Sequence, residues 1–281
     1  MKQRLITAVF GFAVLIPLMI FSDTPVFAVA VALLAAIGVF EMIGCIGLRG
    51  KLEVLLPSLI LAFAVPIMSR YIVKLNGKIS YCLAVIAAVL FIYMYYLMVL
   101  AVVSKGTKSI MDMALVFLTT AYISIGFASV LMLRDLPHGQ FLYLLVFIGA
   151  WVTDGAAYFV GRAFGKHKLI PDVSPKKTVE GAIGGSIFCA LSFLAYGLVV
   201  AHFSDSTVNA VEIIIAGLII SVISQFGDLI ASLIKRHYGI KDYGKIFPGH
   251  GGVMDRFDSI ISIAPFLLML CAYPELYAIF I

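Results

Sequence analysis

Charge is what this sequence has least of. Asp, Glu, Lys and Arg make up 12% of its 281 residues, while 63% are hydrophobic. A water-soluble domain carries about a quarter charged residues, so a freely soluble globule is excluded. The mean hydropathy of +1.11 means that most of its solvent is lipid. Cysteine is also sparse. Cys45, Cys82, Cys189 and Cys271 lie in or beside apolar runs and form no C-x-x-C pair. That excludes a disulfide framework and a thiolate zinc site, and leaves them as small core residues. No low-complexity linker and no repeat of solenoid period is present, which excludes a stacked array. Acidic residues are fewer than basic ones, 15 against 20, for a net charge of +5. In so apolar a chain that excess reads as loop bias and attraction to anionic headgroups, not as nucleic-acid binding.

What the chain does have is long apolar runs. Nine reach the roughly 17–25 residues that a bilayer span needs: 6–22, 26–47, 53–69, 79–103, 110–133, 141–161, 180–203, 208–234 and 259–280. The fold class expected is all-α, a polytopic integral membrane protein with about nine transmembrane helices. Lys2 and Arg4 precede the first run, and Ala28-Val29-Ala30 imitates a cleavage site. That tripeptide lies inside the second run, so the first reads as an uncleaved span. With the N-terminus in the cytoplasm, all but four of the 20 Lys and Arg fall on the cytoplasmic side. The four are Arg70, Lys74, Lys78 and Arg134, and the segment 70–78 is the misfit.

Two loops on that side, 162–179 and 235–258, are long, basic and rich in Gly and Pro, as functional loops are. The second joins cations to three carboxylates, Asp242, Asp255 and Asp258. It also has glycines at 239, 244, 249, 251 and 252. Glycines let backbone N–H groups approach an anion closely. Carboxylates suit a magnesium ion, and Lys and Arg suit the oxygens of a triphosphate. His250, between two glycines, is a candidate for a phosphate or base contact.

Upstream, Ser221, Ser224, Gln225, Asp228 and Ser232 recur at three- and four-residue steps, one helical face ending at Lys235. Asp228 lies about 10 Å of helix before Lys235. A carboxylate near mid-span costs ~2.5–3.5 kcal/mol on insertion scales, so it must meet a metal, water or a structural cation. The first loop region starts from a second intramembrane acid, Asp154. Arg162, Lys166, Lys168, Lys176 and Lys177 follow as phosphate clamps. Gly161-x3-Gly165-Lys166-His167 falls one residue short of a P-loop and lacks its Ser or Thr, so that motif is rejected. Ser174 or Thr178 is placed to cap the next helix or contact substrate. Gly181 and Gly185 read as a helix-packing pair. Glu41, a lone acid in an apolar run, receives no role.

Ser232 through Asp258 reads S-x-x-K-R-x4-K-D-x-G, then P-x-H-G-G, then D-R-x-D. This resembles the signature of the phosphatidate cytidylyltransferase (CDP-diacylglycerol synthase) family, with every position filled. Asp154–Gly181 resembles it too, through the F-G-K-H-K and S-P-K-K-T runs, so the likeness covers roughly residues 150–260. One departure is Gly155, where the family commonly has Ser or Thr after the aspartate. The hydroxyl is then missing unless Thr153 substitutes. With no linker or repeat the chain reads as one membrane domain over 1–281, with variable N-terminal helices in 1–140 and a catalytic half in 141–281. The resemblance implies that CTP and phosphatidate give CDP-diacylglycerol and diphosphate, with Mg2+, a second metal or monovalent cation being compatible. It also implies a homodimer. The roles expected are metal at Asp228 and Asp255, and phosphate binding at Lys235, Arg236, Lys241 and Arg256. Ser174, Lys176 and Lys177 clamp CTP or phosphatidate, with Asp154, Asp242, His250 and Asp258 around the same site.

The alternatives are a CTP-dependent lipid or polyprenol kinase and a secondary transporter. The kinase would release CDP. A transporter would show two related halves with broken helices, whereas the ionisable residues here gather in the second half and on one face.

Overall fold

The computed structural model describes residues 11, 13–76, 79–105, 108–204, 207–272 and 279. The described chain is almost wholly helical: α1 (Pro25–Cys45), α2 (Leu52–Asn76), α3 (Ile79–Val103), α4 (Ile110–Arg134), α5 (Gly139–Phe164), α6 (Val179–Phe203), α7 (Ala210–His237) and α8 (Met254–Cys271). Residues 13–20 are helical as well. Between α5 and α6 lies a two-stranded antiparallel hairpin, β1 (Lys168–Ile170) and β2 (Ser174–Thr178). The seven helices from α1 to α7 are long and apolar enough to cross a membrane. The protein is therefore a multi-pass membrane protein.

Of the nine runs expected to span, 6–22 is described only at 11 and 13–22, where 13–20 are helical. The last, 259–280, differs from expectation. Its helix starts earlier, at Met254, and takes in Asp255, Arg256 and Asp258. Those charges stand at the entrance of the run, and residues 273–278 and 280 of it lie outside the described residues. The run 79–103 coincides with α3. That helix has Phe91, Ile92, Tyr95, Val102 and Val103 exposed on its flanks, as suits contact with lipid.

The chain divides into two compact units: Met1–Asp135 with Tyr238–Arg256, and Leu136–His237 with Phe257–Ile281. In the first, Val39, Met42 and Ile43 of α1 and Ile123, Phe127, Leu131 and Met132 of α4 are buried. Ser58 of α2 and Tyr93 of α3 share a buried hydrogen bond of 2.6 Å. Of the misfit segment 70–78, residues 70–76 are described, and they are helical. Helix α2 runs beyond the expected 69, and Arg70 is a buried residue on it. Its guanidinium donates to the carbonyls of Ser22, Asp23 and Thr24 at 2.8–3.0 Å and pairs with Asp135 at 3.2 Å. Lys74 joins Asp23, and Arg134 donates to the Ser22 hydroxyl. Burial pushes the Asp135 carboxyl up from its ordinary range, against the pull of Arg70, Lys74 and Arg134.

The second unit is held by small residues that let backbones approach, the usual means in lipid. A Cβ at Gly149 of α5 would meet Ile220 of α7, Phe193 of α6 and Ile263 of α8. One at Gly217 would fall 2.7 Å from the Ala190 Cα. Gly181 and Gly185 of α6 face the Ala157 and Thr153 carbonyls of α5, so this pair does pack helices.

Candidate active site

Residues 162–179 are not an open loop. Phe164 ends α5, and Lys168 and Ile170 pair with Thr178 and Ser174 across the hairpin. Glu180, at the start of α6, braces it. Its carboxylate accepts the backbone N–H groups of Lys166 and His167 at 3.1–3.3 Å and meets His167 Nδ1 at 2.6 Å. Thr178 is the cap of α6, its hydroxyl accepting the Gly181 N–H at 3.2 Å. Gly161 and Gly165 pack around that same threonine side chain, which gives those glycines a packing role.

Alternation along β2 separates the two lysines that sequence reasoning grouped together. Lys176 is exposed, whereas Lys177 is partly buried. Lys177 Nζ meets Asp228 Oδ2 at 2.7 Å and donates to the Gln225 carbonyl at 3.4 Å. Ser174 is half-buried on the same strand. The polar face of α7 forms as expected: the Gln225 amide reaches the Ser186 and Ser221 hydroxyls and the Ala182 carbonyl at 3.2–3.3 Å.

Asp258 is buried, with one carboxylate oxygen on the Ser259 N–H at 2.8 Å. It lies within electrostatic reach of Asp228, Asp154 and Lys235. The second unit therefore gathers three of the predicted acids and two of the predicted lysines around the Asp228 end of α7. Arg236 is exposed in the last turn of that helix. Thr153 does not supply a hydroxyl in place of Gly155, because it is fully buried against Gly185.

In the first unit, residues 238–253 fold into a closed loop. Pro248 and Gly249 form the corner of a turn in which the His250 N–H donates to the Phe247 carbonyl at 2.8 Å. Gly249 and Gly251 have φ of +76° and +87°, a region open to glycine with little strain. Asp255 Oδ2 accepts the Tyr243 and Gly252 N–H groups at 2.8 and 2.9 Å, and Arg256 Nε donates to the His250 carbonyl at 2.7 Å. The loop surrounds a cavity of about 680 Å³, lined by Lys241, Asp242, Lys245, His250 and Arg256 among others. His250 Nδ1 is buried there without a hydrogen-bond partner among the described residues. Three cations around one cavity suit an anionic guest.

Sequence reasoning placed Asp228 and Asp255 on one cation. In the structure Asp228 engages Lys177, and Asp255 engages amides of its own loop. Among the described residues no three His, Cys, Asp or Glu side chains converge on a common metal position. Three contributors were missed. Lys245 and Glu180 received no role from the sequence. Glu41 did carry a signal, because an acid inside an apolar helix has to be paid for by donors.

A family model described as the cytidylyltransferase family matches residues 2–274. The phosphatidate cytidylyltransferase of Staphylococcus haemolyticus (strain JCSC1435) is 35% identical over 270 residues, 96% of this chain and 98% of its own. That of Staphylococcus aureus (strain COL) is 35% identical over 281 residues, with the same coverage. A third, from Staphylococcus saprophyticus, is 43% identical over 176 residues, 63% of this chain and 65% of its own.

Proposed function

The chain belongs to the cytidylyltransferase family, and from that premise we propose that it makes CDP-diacylglycerol from CTP and phosphatidate. The observation that carries this reading is the signature loop. Its Lys241, Lys245, His250 and Arg256 line one cavity. Its relatives' names and the expected chemistry agree.

In the reaction a phosphate oxygen of phosphatidate attacks the α-phosphorus of CTP. The bond from that phosphorus to the bridging oxygen breaks, and diphosphate leaves with the electron pair. Both reactants are anions, so the protein must offset repulsion and stabilise charge on the equatorial oxygens. The lipid phosphate is already an oxyanion near neutral pH, so no strong general base is required. Lys241, Lys245 and Arg256 bind the triphosphate. Lys177, with Ser174 on the same strand and Lys235 and Arg236 on α7, binds further phosphate oxygens, whereas Lys176, turned to solvent, contributes little.

A divalent cation fits the donor set. Magnesium favours hard oxygen ligands and needs only one or two carboxylates besides water and substrate phosphates, so the lack of a three-acid cage among the described residues is no obstacle. Asp228 and Asp255 are its proposed ligands. Asp154 and Asp258 in the second unit and Asp242 in the first add negative charge, each within its own unit. When bound, the ion neutralises phosphate charge. The homodimer and the cytoplasmic placement of both basic segments belong to the same proposal, the latter supported by the Lys and Arg distribution.

The test is product analysis with purified protein. CTP labelled at the α-phosphorus should place label in CDP-diacylglycerol in a phosphatidate- and magnesium-dependent way. Asp228→Asn and Asp255→Asn should each abolish that transfer. Label in CDP, with phosphate passed to a lipid alcohol, would replace this reading with a kinase. Full turnover in either variant would remove that aspartate from the site.

A further inference from the structure

Glu41 lies near the end of α1, 2% exposed. An acid buried in an apolar membrane helix needs donors to offset its desolvation. Those it has come from the far side of the sequence. Its two oxygens accept the Val253 N–H at 3.0 Å and the Met254 N–H at 2.9 Å. These are amides at the entrance of α8, where a helix leaves its first N–H groups without internal partners and favours negative charge. Arg49 is also within electrostatic reach of the carboxylate.

The same carboxylate touches the other arm of the loop. A Cβ built at Gly244 or at Gly252 would fall on it. Glu41 therefore fixes the spacing between residue 244 and residues 252–254. The Pro-Gly turn and the cavity with Lys245 and His250 lie between those arms. Asp255 repeats the device from inside the loop, tying Tyr243 to Gly252.

We infer that Glu41 is a positioning residue for the nucleotide site: it touches no substrate, but it holds the two arms of the signature loop at the separation that sets its cations on the triphosphate. The inference rests on the loop being the CTP site. It explains why Gly244 and Gly252 have no side chain. It also explains why the acid is on α1, since a rigid helix holds the loop better than the loop holds itself.

The test uses purified full-length protein with mixed micelles of detergent and phosphatidate. Glu41→Gln keeps the shape but loses the charge and turns an NH2 group toward one of the two amides. Gly252→Ala pushes on the carboxylate from the opposite side. Both should lower kcat/KM for CTP by about 10–100-fold, as small displacements of reacting groups do, and should leave the KM for phosphatidate unchanged. Glu41→Ala should lose more than Glu41→Gln. If it fails to fold, the other two variants decide the matter. Tyr93→Phe, which removes the buried bond to Ser58 in the same unit, serves as the control. It should lower the melting temperature without changing the KM for CTP. Unchanged kcat/KM for CTP in Glu41→Gln would overturn the inference, as would equal losses toward both substrates that follow the melting temperature. A wild-type protein that makes no CDP-diacylglycerol would fail the proposed function first and take this inference with it.

Discussion

Lys176 and Lys177 are the same residue type in adjacent positions, and only strand geometry separates them. Side chains alternate across a strand, so Lys177 turns to Asp228 while Lys176 turns to solvent. Lys177→Met should lower turnover by about 10²–10³-fold, the scale of removing one charge-stabilising donor. Lys176→Met should change it little, as solvated charges contribute weakly. Steady-state rates of the two variants check this, and equal losses would refute it. Two glycines make a similar pair. Gly155 has open space around it, so Gly155→Ala should stabilise α5 by about 0.5–1 kcal/mol with activity kept. Gly251 has φ +87°, and a Cβ there would lie 2.6 Å from Asp255 Oδ2. Gly251→Ala should cost about 1–3 kcal/mol. Thermal unfolding in detergent measures both. At this scale the sequence showed Asp228, because a carboxylate in an apolar helix is costly wherever it sits. It did not show Lys177 as the partner, because the hairpin that delivers the lysine carries no periodic signal.

Most helices were legible because hydropathy follows the bilayer: the predicted 79–103 and the observed Ile79–Val103 agree. Their ends were less so. A helix continues into the interface as long as its backbone bonds are met, and α2 passes Arg70 and Lys74 before stopping at Asn76. The hairpin was read as loop, since Ser-Pro-Lys-Lys-Thr has little strand propensity. What forms it is local bracing by Glu180 and by the Lys168 amine on the Pro175 carbonyl at 2.7 Å. Thr178 joins this element to the next, ending β2 and capping α6. Thr178→Ala should therefore cost about 1 kcal/mol of stability, the usual value of a lost cap. It should also loosen the strand that carries Lys177, so turnover falls further than the melting temperature alone accounts for. Thr178→Ser, which keeps the capping hydroxyl, should recover most of both. Recovery of neither would mean that the threonine methyl, wedged between Gly161 and Gly165, carries the effect.

The molecule's orientation in the membrane rests on its charges, and the first unit shows what the exceptions are doing. Arg70, Lys74 and Arg134 are among the four basic residues assigned to the external side. They sit together with Asp23 and Asp135 at one end of the helices. Paired cations held in protein are weak topological signals, whereas the loop basics Arg49 and Lys51, at the other end of α1, keep theirs. Helix α1 is 21 residues long, about 31 Å, enough to part the two ends by a hydrocarbon core. Asp23 is exposed at one end and Gly50 at the other. Cys82 and Cys189 are buried and Cys45 and Cys271 partly so, which leaves a low background for thiol labelling. A membrane-impermeant maleimide should then label Asp23→Cys in intact cells and Gly50→Cys only after the membrane is opened or inverted. The reverse pattern would turn the chain over and place the signature loop outside, away from cytoplasmic CTP. Labelling of both from one side would mean that α1 does not cross the bilayer.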